Sequence, residues 1–160
     1  MLLFSCERIF ILRNELSEKV NISFNRNSLE KLKSKSDQEI NNGNYRLAIE
    51  TNIMIRDLLK EMKDSSESVI FTTREISDLY LKTGQITKAE NELTIALKEN
   101  PNNYYLLYGI LNVLLDKKEY SALIDISNEI ISNNPNDNDA IYYRAIAKGN
   151  LNKNKEALLD

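Results

Sequence analysis

The chain has 160 residues, of which 42% are hydrophobic and 28% charged, a composition typical of a globular or repeat protein. Its net charge of -3 lacks the cationic excess with which nucleic-acid-binding proteins neutralise phosphates. Histidine is absent and cysteine occurs once, which excludes an intramolecular disulfide and removes the usual general base and most metal ligands. We therefore expect a protein that is not an enzyme and that uses no cofactor or metal.

Residues 1–28 lie outside the repeat described below, and spaced apolar residues between positions 9 and 20 predict a short capping helix. The run Leu3-Phe4-Ser5-Cys6 resembles the end of a bacterial lipoprotein signal, in which small residues precede a lipidated cysteine. However, no basic region precedes the run, and its apolar stretch is shorter than the roughly 7–15 residues of a signal core. We expect a cytoplasmic protein if Met1 is the true start. A longer reading frame would instead make Cys6 the lipid anchor of an envelope protein.

The segment from about residue 29 to 69 predicts a first pair of helices joined by a turn at Gly43. Gly43 lies five residues before Ala48, and the same spacing separates Gly84 from Ala89 in the next segment. Apolar residues are sparse in the first helix of the pair. A run of serines and acidic residues after the second helix predicts a polar loop.

A period of 34 residues relates the segments that follow. Pro101 and Pro135 are 34 residues apart, and each lies in an asparagine-rich stretch. At that spacing apolar positions coincide, for example Ile76 with Ile110. Each segment contains two stripes of apolar residues at three- and four-residue steps, which indicates two amphipathic helices. The period defines units at 70–103, 104–137 and 138–160, of which the last is truncated.

The unit that begins at Ile70 contains the most complete pattern of tyrosine, glycine, alanine and proline. These residues are Tyr80, Gly84, Ala89, Ala96 and Pro101. They resemble the signature of a tetratricopeptide repeat, in which small residues stand where the two helices cross closely. The resemblance covers residues 29–160 and implies an all-α, right-handed superhelical stack of antiparallel helix hairpins. The next unit has Leu123 and Ile130 in place of the small residues, so we expect a hairpin there that is wider or locally shifted.

We place each helix from its apolar stripe and from the glycine, proline or polar residues that end it, with bounds accurate to about 2–4 residues. The expected helices span 29–41, 45–63, 69–83, 86–99, 103–116, 119–133, 138–150 and 153–160.

The resemblance also implies that the first helix of each pair lines a concave groove. The groove-facing residues would be Arg74, Asp78, Tyr105, Tyr108, Asn112, Tyr142 and Tyr143, with Phe71 and Leu81 beside them. Tyrosine combines a large contact area with a polar tip and is enriched at binding hot spots. Tyr142 and Tyr143 are adjacent on a helix and cannot both face the groove squarely. The alternative is that some of these rings pack between the helix pairs.

A stack of this kind implies a non-catalytic scaffold that binds a protein or a peptide. Clamps for chaperone C-termini use Lys, Asn and Arg, and acidic and aromatic residues replace most of these donors here, so a cochaperone role is not expected. A structural module that forms homo-oligomers through an exposed C-terminal hairpin is the second reading. An RNA-binding helical repeat is the third, although the acidic isoelectric point of about 5.2 argues against it.

Overall fold

The computed structural model describes residues 25–152 and 154–159, and the part of the chain in these ranges contains helices and turns but no β-strand. Its helices are α1 (residues 25–41), α2 (Tyr45–Glu61), α3 (Ser66–Lys82), α4 (Ile86–Glu99), α5 (Tyr104–Lys117), α6 (Tyr120–Asn133), α7 (Asn138–Asn150) and α8 (Asn154–Ala157). The all-α fold predicted from the sequence is confirmed. The chain divides into two compact units between Val69 and Ile70. No helix among the described residues is long and apolar enough to cross a membrane.

In the first unit, polar side chains join α1 to α2. The Asn52 amide donates to the Ser36 hydroxyl at 2.9 Å, and the Thr51 hydroxyl donates to the Glu39 carboxylate at 2.7 Å. All four residues are buried, so each bond satisfies polar atoms that are withdrawn from water. The same unit also contains a small apolar cluster, formed by Leu29, Ile55 and Leu59.

Helix α3 begins three residues before the predicted start at 69, because serines that suggested a loop instead cap the helix. The Ser65 hydroxyl accepts the backbone N–H of Ser68 at 3.2 Å, which satisfies one of the amide groups that the first turn leaves without a helical partner. The Asp64 carboxylate accepts the Ser65 N–H at 2.6 Å, and this hydrogen bond lowers the pKa of Asp64. The serine run is therefore an N-terminal cap.

The second unit repeats one turn geometry at the 34-residue period. Gly84, Lys118 and Asn152 all have positive φ, at +71°, 60° and 60°. After the first two of these residues, the N–H groups of Gln85 and Glu119 donate to carbonyl groups five residues earlier, at 2.8 and 2.9 Å. The left-handed residue lets the chain reverse and still satisfy the last carbonyl groups of the helix. Glycine occupies only one of these three positions, so the sequence predicted only the left-handed turn at Gly84.

The following helices also begin in the same way. The side chain of Asn103 accepts the N–H of Leu106 at 3.1 Å, and Asp137, 34 residues later, accepts the N–H of Ala140 at 3.0 Å. Helices α5, α6 and α7 enclose a core. Its buried members are Leu107, Leu111, Leu114, Leu123, Ile130, Ala140 and Ala147. Leu123 and Ile130 are fully buried where small residues were expected.

The small residues of the second unit do not all lie at close helix contacts. Ala89 is fully buried, as expected, but Ala96 is only half-buried, so its predicted burial was wrong. A close approach also occurs at Gly109 of α5. A methyl group there would be 2.7 Å from a terminal carbon of Leu93 and 3.1 Å from the Cδ of Arg74. Glycine at this position allows α5 to lie against α4 and the Arg74 side chain.

Candidate functional site

The first helices of the pairs in the second unit lie side by side. Tyr105 on α5 contacts α3, because its ring stacks on that of Phe71 with centroids 5.8 Å apart and planes 8° apart. Tyr143 on α7 contacts α5, because its hydroxyl donates to the side-chain oxygen of Asn112. These contacts bring residues predicted for the groove together on neighbouring helices, and we call this surface the aromatic face. It consists of the predicted residues Phe71, Arg74, Asp78, Tyr105, Tyr108, Asn112, Tyr142 and Tyr143, together with Asp139, which was not predicted for the groove.

Arg74 joins α3 to α5 and has its hydrogen-bonding groups directed inward. Its Nε donates to both carboxylate oxygens of Asp78, at 3.0 and 3.1 Å. Its Nη1 donates to the backbone carbonyl of Tyr105 at 2.8 Å, and its guanidinium lies 5.2 Å from the centre of the Tyr105 ring. The side chain of Arg74 is only 12% exposed. Arg74 therefore positions α5 against α3 and already has an acidic partner.

Two of the tyrosines predicted for the groove also make hydrogen bonds and packing contacts within the fold. The hydroxyl of Tyr108 donates to Asp137, the residue that caps α7, and its half-buried ring packs against the apolar core. Burial and this hydrogen bond raise the pKa of Tyr108, and the same hydrogen bond lowers the pKa of Asp137. Tyr143 also packs against that core, and burial raises its pKa. For Tyr108 and Tyr143 the rings thus pack between helix pairs, the alternative that the sequence left open.

Three rings remain open on the aromatic face. Tyr142 is 64% exposed, Phe71 52% and Tyr105 42%. The ring of Tyr142 meets that of Tyr143 at 70°, with centroids 6.1 Å apart. Tyr142 is exposed and Tyr143 packs against the core, so one of the two adjacent tyrosines points outward and the other inward. The open surface is therefore built from one ring on each of three neighbouring helices.

No protein-family profile and no curated protein sequence matches this chain. Among solved structures, it is similar to "MamA RS-1 ArsTM double mutant", with a TM-score of 0.60 and 20% identity over 82% of this chain and 71% of that one. It is also similar to "MamA MSR-1 C2", with a TM-score of 0.54 and 16% identity over 81% and 70% of the two chains. MamA is a tetratricopeptide-like helical repeat protein. The chain has a helical-repeat fold.

At these identities the likeness shows the fold and nothing about what is bound. A third structure, of another MamA mutant, agrees with this conclusion at a TM-score of 0.53 and 18% identity, over 81% of this chain and 71% of that one. The fold places the aromatic face on the first helices of successive hairpins.

The charges around the aromatic face are mostly negative. Asp78 and Glu75 act to raise the pKa of the Tyr105 hydroxyl, and Asp139 acts in the same direction on Tyr108 and Tyr143. Arg74 acts in the opposite direction on Tyr105 and Tyr143. Among the charged groups, Arg74 has the largest effect on the pKa values of Tyr105 and Tyr143, whereas Asp137 and Asp139 act on that of Tyr108.

Cys6, the candidate lipidation residue, lies outside the described residues. Within the described ranges, no group of three acidic or cysteine side chains could hold a metal ion. Sequence reasoning did not identify a cleft where the start of α5 meets the end of α6, lined by Asn102, Tyr104, Leu107, Glu129 and Asn133.

Proposed function

We propose that this chain is a tetratricopeptide-like scaffold that binds a protein or peptide on its aromatic face. The observation that carries the proposal is the exposure of Phe71, Tyr105 and Tyr142, at 42–64%, on three helices whose other large residues are mostly packed. Exposed aromatic surface on neighbouring helices is typical of interaction sites. The face contains no nucleophile–base pair, which favours binding over catalysis.

The face is also organised before a partner arrives. Phe71 is stacked on Tyr105, and Arg74 holds the backbone of Tyr105 in place. A surface whose side chains are already ordered loses less conformational entropy on binding. A fully buried aromatic side chain removes about 150–250 Å² from water. Covering half of one ring would therefore contribute roughly 2 kcal/mol.

A pair of matched alanine variants tests the proposal. Tyr142→Ala removes a ring from the aromatic face, whereas Ile95→Ala removes a similarly exposed side chain, at 61%, from α4. Neither residue belongs to the buried core, so both variants should fold like the parent chain. We expect Tyr142→Ala to weaken partner binding roughly 30-fold, as for a hot spot of about 2 kcal/mol, and Ile95→Ala to leave it unchanged.

The measurement is recovery of partners from the native host with the parent chain and both variants as immobilised baits, followed by titration of each recovered partner. Partners lost with Tyr142→Ala and kept with Ile95→Ala support the proposal. Partners retained equally by all three baits would place the binding surface elsewhere.

Self-association is a second candidate function, favoured by Leu158 and Leu159, each 87% exposed. In that case a second copy of the chain is the partner. Sedimentation of the same three proteins distinguishes the two candidates. Oligomers that dissociate in Tyr142→Ala would place a second copy on the aromatic face. Oligomers that persist in Tyr142→Ala and dissociate in a Leu158→Ser, Leu159→Ser double variant would place the contact at the leucines.

A further inference from the structure

The aromatic face combines open rings with carboxylates on the same helices. Asp139 is exposed in the first turn of α7, three residues before Tyr142, a spacing that places both side chains on one side of a helix. Asp78 lies four residues after Arg74, and its side chain is 40% exposed. Arg74 is the cation among the residues named on the face, and it is paired with Asp78. The negative charge of Asp139 therefore has no paired cation among these residues.

Two basic residues of these helices stand near the rings in the sequence: Arg74 lies over the Tyr105 ring, and Arg144 donates to the side-chain oxygen of Asn128 on α6. The lysines of these helices lie farther along. Lys82, Lys117 and Lys148 each stand in the last turn of α3, α5 and α7. The exposed rings of Tyr105 and Tyr142 stand in the first two turns of α5 and α7. Each of these two helices therefore has an exposed tyrosine near its start and a lysine in its last turn. A ligand on the rings meets carboxylates before it meets lysines.

The rings themselves suit a cation. The faces of tyrosine and phenylalanine rings carry negative charge density, and they attract ammonium or guanidinium groups within about 6 Å. Tyr105 already shows this contact with Arg74, at 5.2 Å. Tyr142 presents a ring that is 64% exposed, close to Asp139 in sequence. A lysine or arginine over such a ring would contact both the π surface and a carboxylate.

We propose that the aromatic face binds a segment of a partner protein that carries lysine or arginine among apolar residues. This inference rests on the proposed function, because it specifies the chemistry of the partner at the same surface. Apolar side chains of the segment contact Phe71 and Tyr105, and a cationic side chain lies over Tyr142 beside Asp139. An acidic peptide, or a nucleic acid with its phosphates, is repelled by the same carboxylates.

The test is a display library of random peptides, balanced in acidic and basic residues, selected on the whole chain. Selected peptides are titrated against the parent, Tyr142→Ala, Asp139→Asn and a matched control, Asp125→Asn. Asp125 is an exposed carboxylate on α6, so the control makes the same charge change outside the aromatic face. Binding is measured by fluorescence anisotropy at low and high salt.

We expect the peptides whose binding depends on Tyr142 to have a net positive charge. Asp139→Asn should weaken their binding about two- to five-fold, as for an exposed ion pair, and Asp125→Asn should not. The effect of Asp139→Asn should shrink as salt screens the charges.

The possible failures are distinguishable. Peptides that depend on Tyr142 but are neutral or acidic would overturn the basic partner and leave the proposed function standing. Equal effects of Asp139→Asn and Asp125→Asn would also overturn it, because the charge preference would then belong to the whole chain. A library without any peptide that depends on Tyr142 would overturn the proposed function itself.

Discussion

The hydrogen bond between Tyr108 and Asp137 ties α5 to the start of α7, and a double-mutant cycle can measure its contribution. Asp137 has two roles, since its carboxylate accepts the Tyr108 hydroxyl and also caps α7 through the N–H of Ala140. Tyr108→Phe removes only the first role and keeps the ring in the core. Asp137→Ala removes both roles.

The expected magnitudes follow from these contacts. A hydrogen bond of this kind contributes about 1 kcal/mol, so Tyr108→Phe should lower the free energy of unfolding by about that amount. An N-terminal cap contributes about 1 kcal/mol more, so Asp137→Ala should cost about 2 kcal/mol. The double variant should cost no more than Asp137→Ala alone, because the hydroxyl then has no carboxylate to lose. The coupling free energy should be about 1 kcal/mol.

The free energies are measured by urea unfolding followed by circular dichroism, with hydrogen exchange of the α7 amides as the local measurement. Tyr108→Phe should leave exchange of the Ala140 amide slower than Asp137→Ala does, because the cap remains. A coupling free energy near zero would refute the interaction. The Tyr108 hydroxyl would then not stabilise the fold, and Tyr108 would again be a candidate for partner binding.

The same pair has a pH dependence of definite sign. The hydrogen bond from Tyr108 is the largest cause that holds the pKa of Asp137 below its ordinary value of 3.8 in the folded chain. A carboxyl group with a lowered folded pKa contributes stability that is full above the unfolded pKa and is lost as the pH falls through the folded one. Tyr108→Phe should therefore raise the pKa of Asp137 toward 3.8 and weaken the acid dependence of unfolding, and an NMR titration of the Asp137 carboxyl group checks this.

Two further predictions concern stability. Ala89→Leu should lower the free energy of unfolding by roughly 1–3 kcal/mol, because the fully buried methyl group leaves no room for a larger side chain, and an unchanged thermal midpoint would contradict that packing. Lys118→Gly should raise the free energy of unfolding by about 0.5–1 kcal/mol, because glycine adopts φ of +60° without the cost of a side chain. Lys118→Ala is the control, since it removes the charge and retains the backbone cost. Equal thermal midpoints for Lys118→Gly and Lys118→Ala would refute the backbone explanation.

Helix positions could be predicted from the sequence because the signals that set them are local. The predicted helix at 86–99 agrees with α4, and the one at 138–150 agrees with α7. Apolar steps of three and four residues place a helix, and Gly84 and Pro101 end helices through their own backbone chemistry. The 34-residue period determined the pairing of helices for the same reason, because each unit repeats the same local signals.

The sequence could not predict which of the groove tyrosines are exposed and which are packed within the fold. Tyr108, Tyr142 and Tyr143 have the same side chain, yet one is 64% exposed and two donate hydrogen bonds into the fold. The deciding partners, Asp137 and Asn112, lie 29 and 31 residues away along the chain. Helical spacing determines only the direction in which a side chain leaves its own helix.

The sequence by itself therefore determined the helices, the repeat period and the side of each first helix that carries aromatic residues. Only the tertiary structure decided which rings stay open and which charges remain on the face. Arg74 shows the physical reason. Its pairing with Asp78 lies within one helix, but its bond to the carbonyl group of Tyr105 depends on how α5 packs against α3. A side chain becomes available for binding only when no neighbouring helix supplies the partner that its polar atoms require.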